Sequence, residues 1–217
     1  MFPPLYVVLD HDLLRMPLEA CADSLSNSGV ELIQYRAKHL SSREHFDACA
    51  RLALYLARRK VRFIVNDRPD IASLVDAGGV HVGEEDLSPD EARRICGPKI
   101  WVGVSTHSLE QVRAANLTSA DYIAVGPIFA TASKENPDPV VGIEFICEVR
   151  KLTTKPIVAI GGITLERAAE VYEAGADSLA VITDILSAAD PGVRAKEFVA
   201  VAKDFFRSSP GRTGKKG

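Results

Sequence analysis

Cysteine is sparse and scattered: Cys21, Cys49, Cys96 and Cys147 form no Cys-x-x-Cys pair. That excludes a disulfide-dense scaffold and points to reduced thiols in a cytoplasmic protein. No stretch approaches the roughly 20 consecutive apolar residues that cross a bilayer. Met1-Phe2-Pro3-Pro4 leads into a short apolar run that already contains Asp10, so neither a signal peptide nor a membrane anchor is expected. His11, His39, His45, His81 and His107 give no closely spaced pair on one helix face, which argues against zinc. Charge of one sign is not in excess either: 26 Lys plus Arg against 29 Asp plus Glu leave a net −3. A global basic field for nucleic acid is therefore missing, and any anion site must be local.

The chain of 217 residues is 47% apolar and 25% charged, a composition that supports a folded core and excludes general disorder. Short β-branched runs recur along its whole length: Leu5 to Leu9, Val30 to Tyr35, Arg62 to Val65, Gly79 to Val82, Ile100 to Val104, Tyr122 to Val125, Pro156 to Ile160 and Ser178 to Val181. Helical periodicity fills the intervals. In Ser42 to Arg58, for example, Phe46, Cys49, Ala50, Ala53 and Leu54 are expected to share one buried face. Continuous apolar strands between helices imply a parallel sheet covered on both faces. Related phrases before three strands (Ala77-Gly78-Gly79, Ser119-Ala120-Asp121 and Gly175-Ala176-Asp177) suit repeated positions around a ring. The expected architecture is α/β, a single eight-stranded parallel (β/α)8 TIM barrel over residues 1–206. Val193 to Phe206 is expected to be its closing helix, and 207–217, small and basic, a disordered tail.

Barrels of this kind carry chemistry at the C-terminal ends of their strands, and reactive residue types collect there. Gln34, Arg36 and Lys38 alternate along an extended segment and form a candidate anion clamp. Asn66-Asp67 and Gly83-Glu84-Glu85-Asp86 follow adjacent strands, so Asp67 and Asp86 can share a hard cation such as Mg²⁺. Either aspartate can equally cap the next helix. Ser105 or Thr106 can offer a hydroxyl to a ligand, or cap a helix together with Ser108. The long Pro-rich connection from Gly126 to Gly142 presents Thr131, Ser133 and Lys134, as binding loops do. Gly161, Gly162, Ile182 and Thr183, after the last two strands, form a candidate phosphate cup. His81, His107 and Trp101 are read as packing or helix-start residues, Trp101 as core.

Taken together, Gln34-x-Arg36-x-Lys38, Asn66-Asp67-Arg68, His81-x-Gly83-x-Glu85-Asp86, Gly103-Val104-Ser105, Gly126-Pro127-Ile128-Phe129-Ala130-Thr131-x-Ser133-Lys134 and Ala159-Ile160-Gly161-Gly162-Ile163 closely resemble the thiamine-phosphate synthase family. The resemblance spans roughly residues 5 to 187. It implies a cytoplasmic transferase that joins hydroxymethylpyrimidine diphosphate to thiazole phosphate, or to its carboxylated form, releasing diphosphate. By this resemblance Gln34, Arg36, Lys38, Asn66 and Lys134 would hold the pyrimidine diphosphate, Asp67 and Asp86 its Mg²⁺, and Ser105 would lie near the pyrimidine. Thr131, Ser133, Gly162, Ile182 and Thr183 would receive the thiazole phosphate. Arg36, Lys38, Ser105 and Lys134 would be the catalytic set, and a homodimer is implied. Ser133, Thr183 and Glu84 stand where the family often has Thr, Ser and Gln. A thiazole tautomerase shares the cup but needs an acid–base residue and no metal–diphosphate clamp. A phosphate-sensing barrel would be favoured by a missing clamp residue, and none is missing.

Overall fold

The computed structural model describes residues 2–131 and 138–208. Eight parallel strands pair in chain order and close into a barrel. They are β1 Leu5–Asp10, β2 Leu32–Arg36, β3 Arg62–Asn66, β4 Gly79–Val82, β5 Trp101–Thr106, β6 Tyr122–Val125, β7 Ile157–Ile160 and β8 Ser178–Val181. β8 closes the ring by pairing Leu179, Ala180 and Val181 with Leu5, Tyr6 and Val7. Helices α1 Leu18–Asn27, α2 Ser42–Ala57, α3 Pro69–Leu74, α4 Pro89–Cys96, α5 Leu109–Asn116, α6 Glu144–Leu152, α7 Ala168–Glu173, α8 Thr183–Leu186 and α9 Pro191–Ser208 return the chain between strands and close it off. No helix among the described residues is long and apolar enough to cross a membrane.

Strand alternation sorts the apolar residues into two layers. Tyr6, Val8, Leu32, Ile64, Tyr122, Ala124, Val158 and Ala180 cluster inside the barrel. Val7, Leu9, Ile33, Val65, Val80, Val102, Ile123, Ala159 and Leu179 pack outward with the helices. At the N-terminal end Phe2 stacks on Trp101 with ring centroids 5.0 Å apart, and the Arg62 guanidinium lies 3.8 Å from the Trp101 ring centroid. Trp101 is thus a half-buried end plug rather than a core residue.

Helix starts are written in local chemistry. Ser41 with Glu44 and Ser88 with Glu91 form reciprocal capping boxes for α2 and α4, and Ser108 accepts from Gln111 N–H to start α5. These caps leave Asp67, Asp86, Ser105 and Thr106 out of the capping role: Arg68 holds the cap position of α3, with no side-chain cap bond.

Two expectations are corrected. The buried stripe of α2 is His45, Ala48, Cys49, Leu52, Ala53 and Leu56, while Leu54 is 69% exposed. The i, i+4 pair Leu52 and Leu56 sets the inward face, which turns Leu54 to solvent. The last helix begins at Pro191 and runs through Ser208, past both expected bounds. Asp190 caps its start through the N–H groups of Gly192 and Val193, and Phe205 and Phe206 extend its contact by packing on Tyr172, at 5.4 and 5.3 Å between centroids. Residues 209–217 lie outside the described residues.

His45 is the odd member of that stripe. Its ring lies edge-on to Tyr35, and Nε2 is buried without a hydrogen-bond partner. Burial, then the nearby Arg68 charge, lowers its pKa below the ordinary 6.5, against weaker opposing pulls from Asp67 and Asp70. The unfolded chain therefore takes up this proton first as pH falls. The contribution of neutral His45 is present above the unfolded value and lost on acidification through the depressed folded value. Thermal unfolding at pH 7.5 and pH 5.5 checks this: His45→Phe is expected to lose less Tm between the two than the wild type. Equal losses would show that His45 carries no acid sensitivity.

Candidate active site

The C-terminal ends of the strands surround a cavity of about 570 Å³. Val8, Ala124, Val158 and Ala180 line it among others. Packed barrels fill such inward positions mainly with branched side chains, so the alanines at 124 and 180 leave room for a ring-sized ligand. Above this apolar floor stand Gln34, Arg36, Asn66, His81 and Ser105.

Three of these, Gln34, His81 and Ser105, are joined by a buried thread that crosses the barrel. Gln34 Nε2 donates to Tyr6 Oη at 2.7 Å, and Tyr6 and Tyr122 hydroxyls meet at 3.0 Å. Tyr122 Oη lies 3.1 Å from His81 Nδ1, and His81 Nε2 lies 2.9 Å from Ser105 Oγ. One proton arrangement gives every buried hydroxyl hydrogen along the thread an acceptor: Gln34 to Tyr6, Tyr6 to Tyr122, Tyr122 to His81 Nδ1, His81 Nε2–H to Ser105. It leaves the Ser105 hydrogen for a ligand. Burial raises both phenol pKa values well above the ordinary 10, so the two tyrosines stay protonated. Gly103 permits it, because a Cβ there would stand 2.0 Å from Tyr122 Cζ.

On the β1 to β4 side of the mouth the charges come in pairs. Arg36 is ion-paired with Asp10, its register partner across β1 and β2. Lys38 Nζ lies 2.8 Å from Asp67 Oδ2. Asp67 sits in the left-handed region at φ 61°, and its N–H donates to the His81 carbonyl at 2.8 Å, which aims it away from α3. Asp86 accepts from Gly83 N–H at 2.7 Å. Burial raises the Asp86 pKa, and its contact with Asp67 raises it further, outweighing help from Gly83 and Lys38. Two carboxylates pressed together require a proton or a cation between them, and this donor set fits a hard divalent ion. Among the described residues no group of three or more His, Cys, Asp or Glu side chains assembles to hold a metal, so the protein offers a cation here the aspartate pair alone.

The opposite side offers backbone. Gly161 and Gly162 have φ of 99° and 62°, and a Cβ on either would come within 2.5 Å of Pro127 or of the Ala130 carbonyl. Only glycine lets these two loops nest. Ile182 precedes α8 without a side-chain cap, so the first N–H groups of that turn are not claimed by one. Thr131 and Thr183 share this wall with Arg167 and Arg194. Arg167 donates to the Gly162 carbonyl at 2.8 Å and stacks on Phe129.

Gln34, Arg36, Asn66, Ser105, Thr131, Gly162, Ile182 and Thr183 thus share one cavity, with Lys38, Asp67 and Asp86 grouped beside its mouth. Ser133 and Lys134 lie outside the described residues. Glu84 faces α5, accepting from Gln111 Nε2 at 3.0 Å. His107 stands at the start of α5, just before its cap Ser108, and also lines the cavity, with Nδ1 2.5 Å from the Gly126 carbonyl. Burial pushes the Cys21 and Cys49 thiols up to about 11 and about 12, so neither supplies a nucleophile at neutral pH. Sequence reasoning missed Asp10, Tyr6 and Tyr122. A lone carboxylate ending an apolar strand was a usable signal for Asp10; the tyrosine pair, 116 residues apart, had none.

Residues 5–185 match the family model described as thiamine monophosphate synthase. A thiamine-phosphate synthase of Koribacter versatilis is 48% identical over 204 residues, covering 92% of this chain and 95% of that protein. One from Pelotomaculum thermopropionicum is 40% identical, with 88% of each chain covered. The solved thiamine phosphate pyrophosphorylase of Pyrococcus furiosus superposes with a TM-score of 0.85 at 31% identity, covering 93% of this chain and 96% of that one.

Removing the central hydroxyl of the thread tests its coherence. Tyr122→Phe leaves Tyr6 and His81 short of a partner and is expected to destabilise the fold by about 1–3 kcal/mol in urea unfolding. A change within about 0.3 kcal/mol would mean that the thread contributes nothing to stability.

Proposed function

We infer that this chain, which belongs to the thiamine monophosphate synthase family, is a thiamine-phosphate synthase: it joins 4-amino-2-methyl-5-hydroxymethylpyrimidine diphosphate to 4-methyl-5-(2-hydroxyethyl)thiazole phosphate, or to its carboxylated form with loss of carbon dioxide, giving thiamine phosphate and diphosphate. The observation that carries the assignment of roles is the division of one cavity. Paired carboxylates and cations stand on the β1 to β4 side, a backbone-rich anion cup on the β7 to β8 side, and an apolar floor lies between them.

The pyrimidine sits on the floor with its exocyclic amine toward the Gln34 carbonyl, since the Gln34 amide nitrogen is committed to Tyr6. Ser105 presents its free hydrogen to a ring nitrogen, oriented by His81. The bond from the methylene carbon to the diphosphate oxygen breaks, and its electron pair leaves with diphosphate. The electron-rich aminopyrimidine stabilises the carbocation, and the thiazole nitrogen lone pair forms the new carbon–nitrogen bond. No protein nucleophile is required. Arg36, Lys38 and Lys134 neutralise the leaving group as its charge grows. Lys38, 2.8 Å from Asp67, is near enough to exchange that partner for a diphosphate oxygen. Asp67 and Asp86 would hold Mg²⁺, which when bound supplies further positive charge to the departing diphosphate. Asn66 supports the pyrimidine diphosphate from the end of β3. Gly162, Ile182 and Thr183, with Thr131 and Ser133, receive the thiazole phosphate, so that both substrates meet in fixed orientation.

Free thiols at all four cysteines are consistent with a cytoplasmic setting. Self-association as a homodimer belongs to the same reading, and light scattering of the purified protein checks it.

Mass spectrometry of the purified protein with both substrates is expected to give thiamine phosphate with Mg²⁺ and none with excess EDTA. Asp67→Asn is expected to lower kcat at least about 100-fold while its circular dichroism stays native. Product in EDTA, or wild-type turnover in the variant, would refute the metal assignment. No product with folded protein and sound substrates would refute the function.

A further inference from the structure

Asp10 is the last residue of β1 and is only 3% exposed, an expensive place for a carboxylate unless both oxygens are engaged. They are: Oδ1 accepts from Asp12 N–H at 3.2 Å, starting the short turn His11–Leu13, and Oδ2 takes Nη1 of Arg36. The same turn is tied to β2 a second time, where His11 Nδ1 and Tyr35 Oη are 2.8 Å apart. Arg36 lines the cavity with its side chain 18% exposed, whereas Asp10 stands behind it. Strand register places the two side by side.

We propose that Asp10 is a positioning residue for the leaving-group clamp, holding one nitrogen of the Arg36 guanidinium so that its remaining N–H groups face the diphosphate. An arginine side chain left free would lose rotamer entropy each time it closed on the anion. Asp10 settles that geometry before substrate arrives. With both oxygens committed, Asp10 touches neither substrate and acts only through Arg36. The inference rests on the synthase reading for its kinetic consequence, but not for its anion-binding consequence.

A double-mutant cycle with Arg36→Ala separates positioning from general structural support. Asp10→Ala is expected to lower kcat about 30-fold in the wild-type background and less than about twofold in the Arg36→Ala background, with KM for thiazole phosphate within about twofold throughout. Asp10→Asn keeps one acceptor oxygen, enough for Arg36 or for Asp12 N–H but not for both; it is expected to recover part of that loss, and serves for the cycle should the alanine variant not fold. Calorimetric titration with inorganic diphosphate and Mg²⁺ gives a readout independent of turnover. Asp10→Ala is expected to weaken binding about tenfold, and to change nothing once Arg36 is absent. Coupling in the titration without turnover in the wild type would sustain the role of Asp10 while removing the synthase reading. Additive effects in both cycles, or a loss seen only as a raised KM for thiazole phosphate, would overturn it.

Discussion

Parallel strand register is the constraint on which the rest of this structure depends. Opposite Asp10 it places Arg36, and opposite Asn66 it places His81, whose carbonyl then holds the Asp67 amide. The charges needed for an anionic substrate are therefore not loose on a surface. Each is delivered at the end of a buried strand next to a partner from the neighbouring one. A slip of one residue would turn Gln34 and Arg36 outward and Tyr35 into the cavity. The outward packing of Ile33 and Tyr35 under the helices makes such a slip prohibitive. Fold stability and the arrangement of the site thus draw on the same contacts.

The interior is built to be hollow at one end and solid at the other. Phe2, Trp101 and Tyr122 close the N-terminal end with stacked and tilted rings. Ala124, two residues past Tyr122 on β6, and Ala180 on β8 leave the upper space open. Between plug and cavity runs the thread from Gln34 to Ser105. Its two phenols stay protonated at that depth, where a phenolate would be heavily penalised, and orient Gln34 and His81 without introducing charge. Charge is confined to the mouth, where solvent, a metal ion and a diphosphate can share it.

Much of this was legible in the sequence because it is local or periodic. The strand runs were found to within two residues at each end, since buried parallel strands are continuous apolar segments between helices. Gln34 and Arg36 were legible from alternation along a strand, a hydroxyl at Ser105 or Thr106 from the end of the fifth, and Gly161-Gly162 from its place after the seventh. The face of α2 was misjudged: Ala50 and Leu54 satisfy helical spacing as well as Leu52 and Leu56 do, and only tertiary packing chooses between them. Apart from the pairing of Asp67 with Asp86, the partnerships were not legible. That Lys38 neutralises Asp67, that Glu84 turns to Gln111 and that Tyr6 meets Tyr122 are consequences of barrel closure over long sequence separations.

The central claim is that the two sides of the cavity hold different anions, the metal–diphosphate on the β1 to β4 side and the thiazole phosphate at the glycine cup. A crystal structure grown with Mg²⁺, inorganic diphosphate and thiazole phosphate tests it most directly. The account predicts a cation between Asp67 and Asp86, diphosphate on Arg36 and Lys38, the Asp10 contact to Arg36 retained, and the thiazole phosphate at Gly162 and Thr183. Diphosphate seated in the cup, or a cation bound away from the aspartate pair, would contradict it.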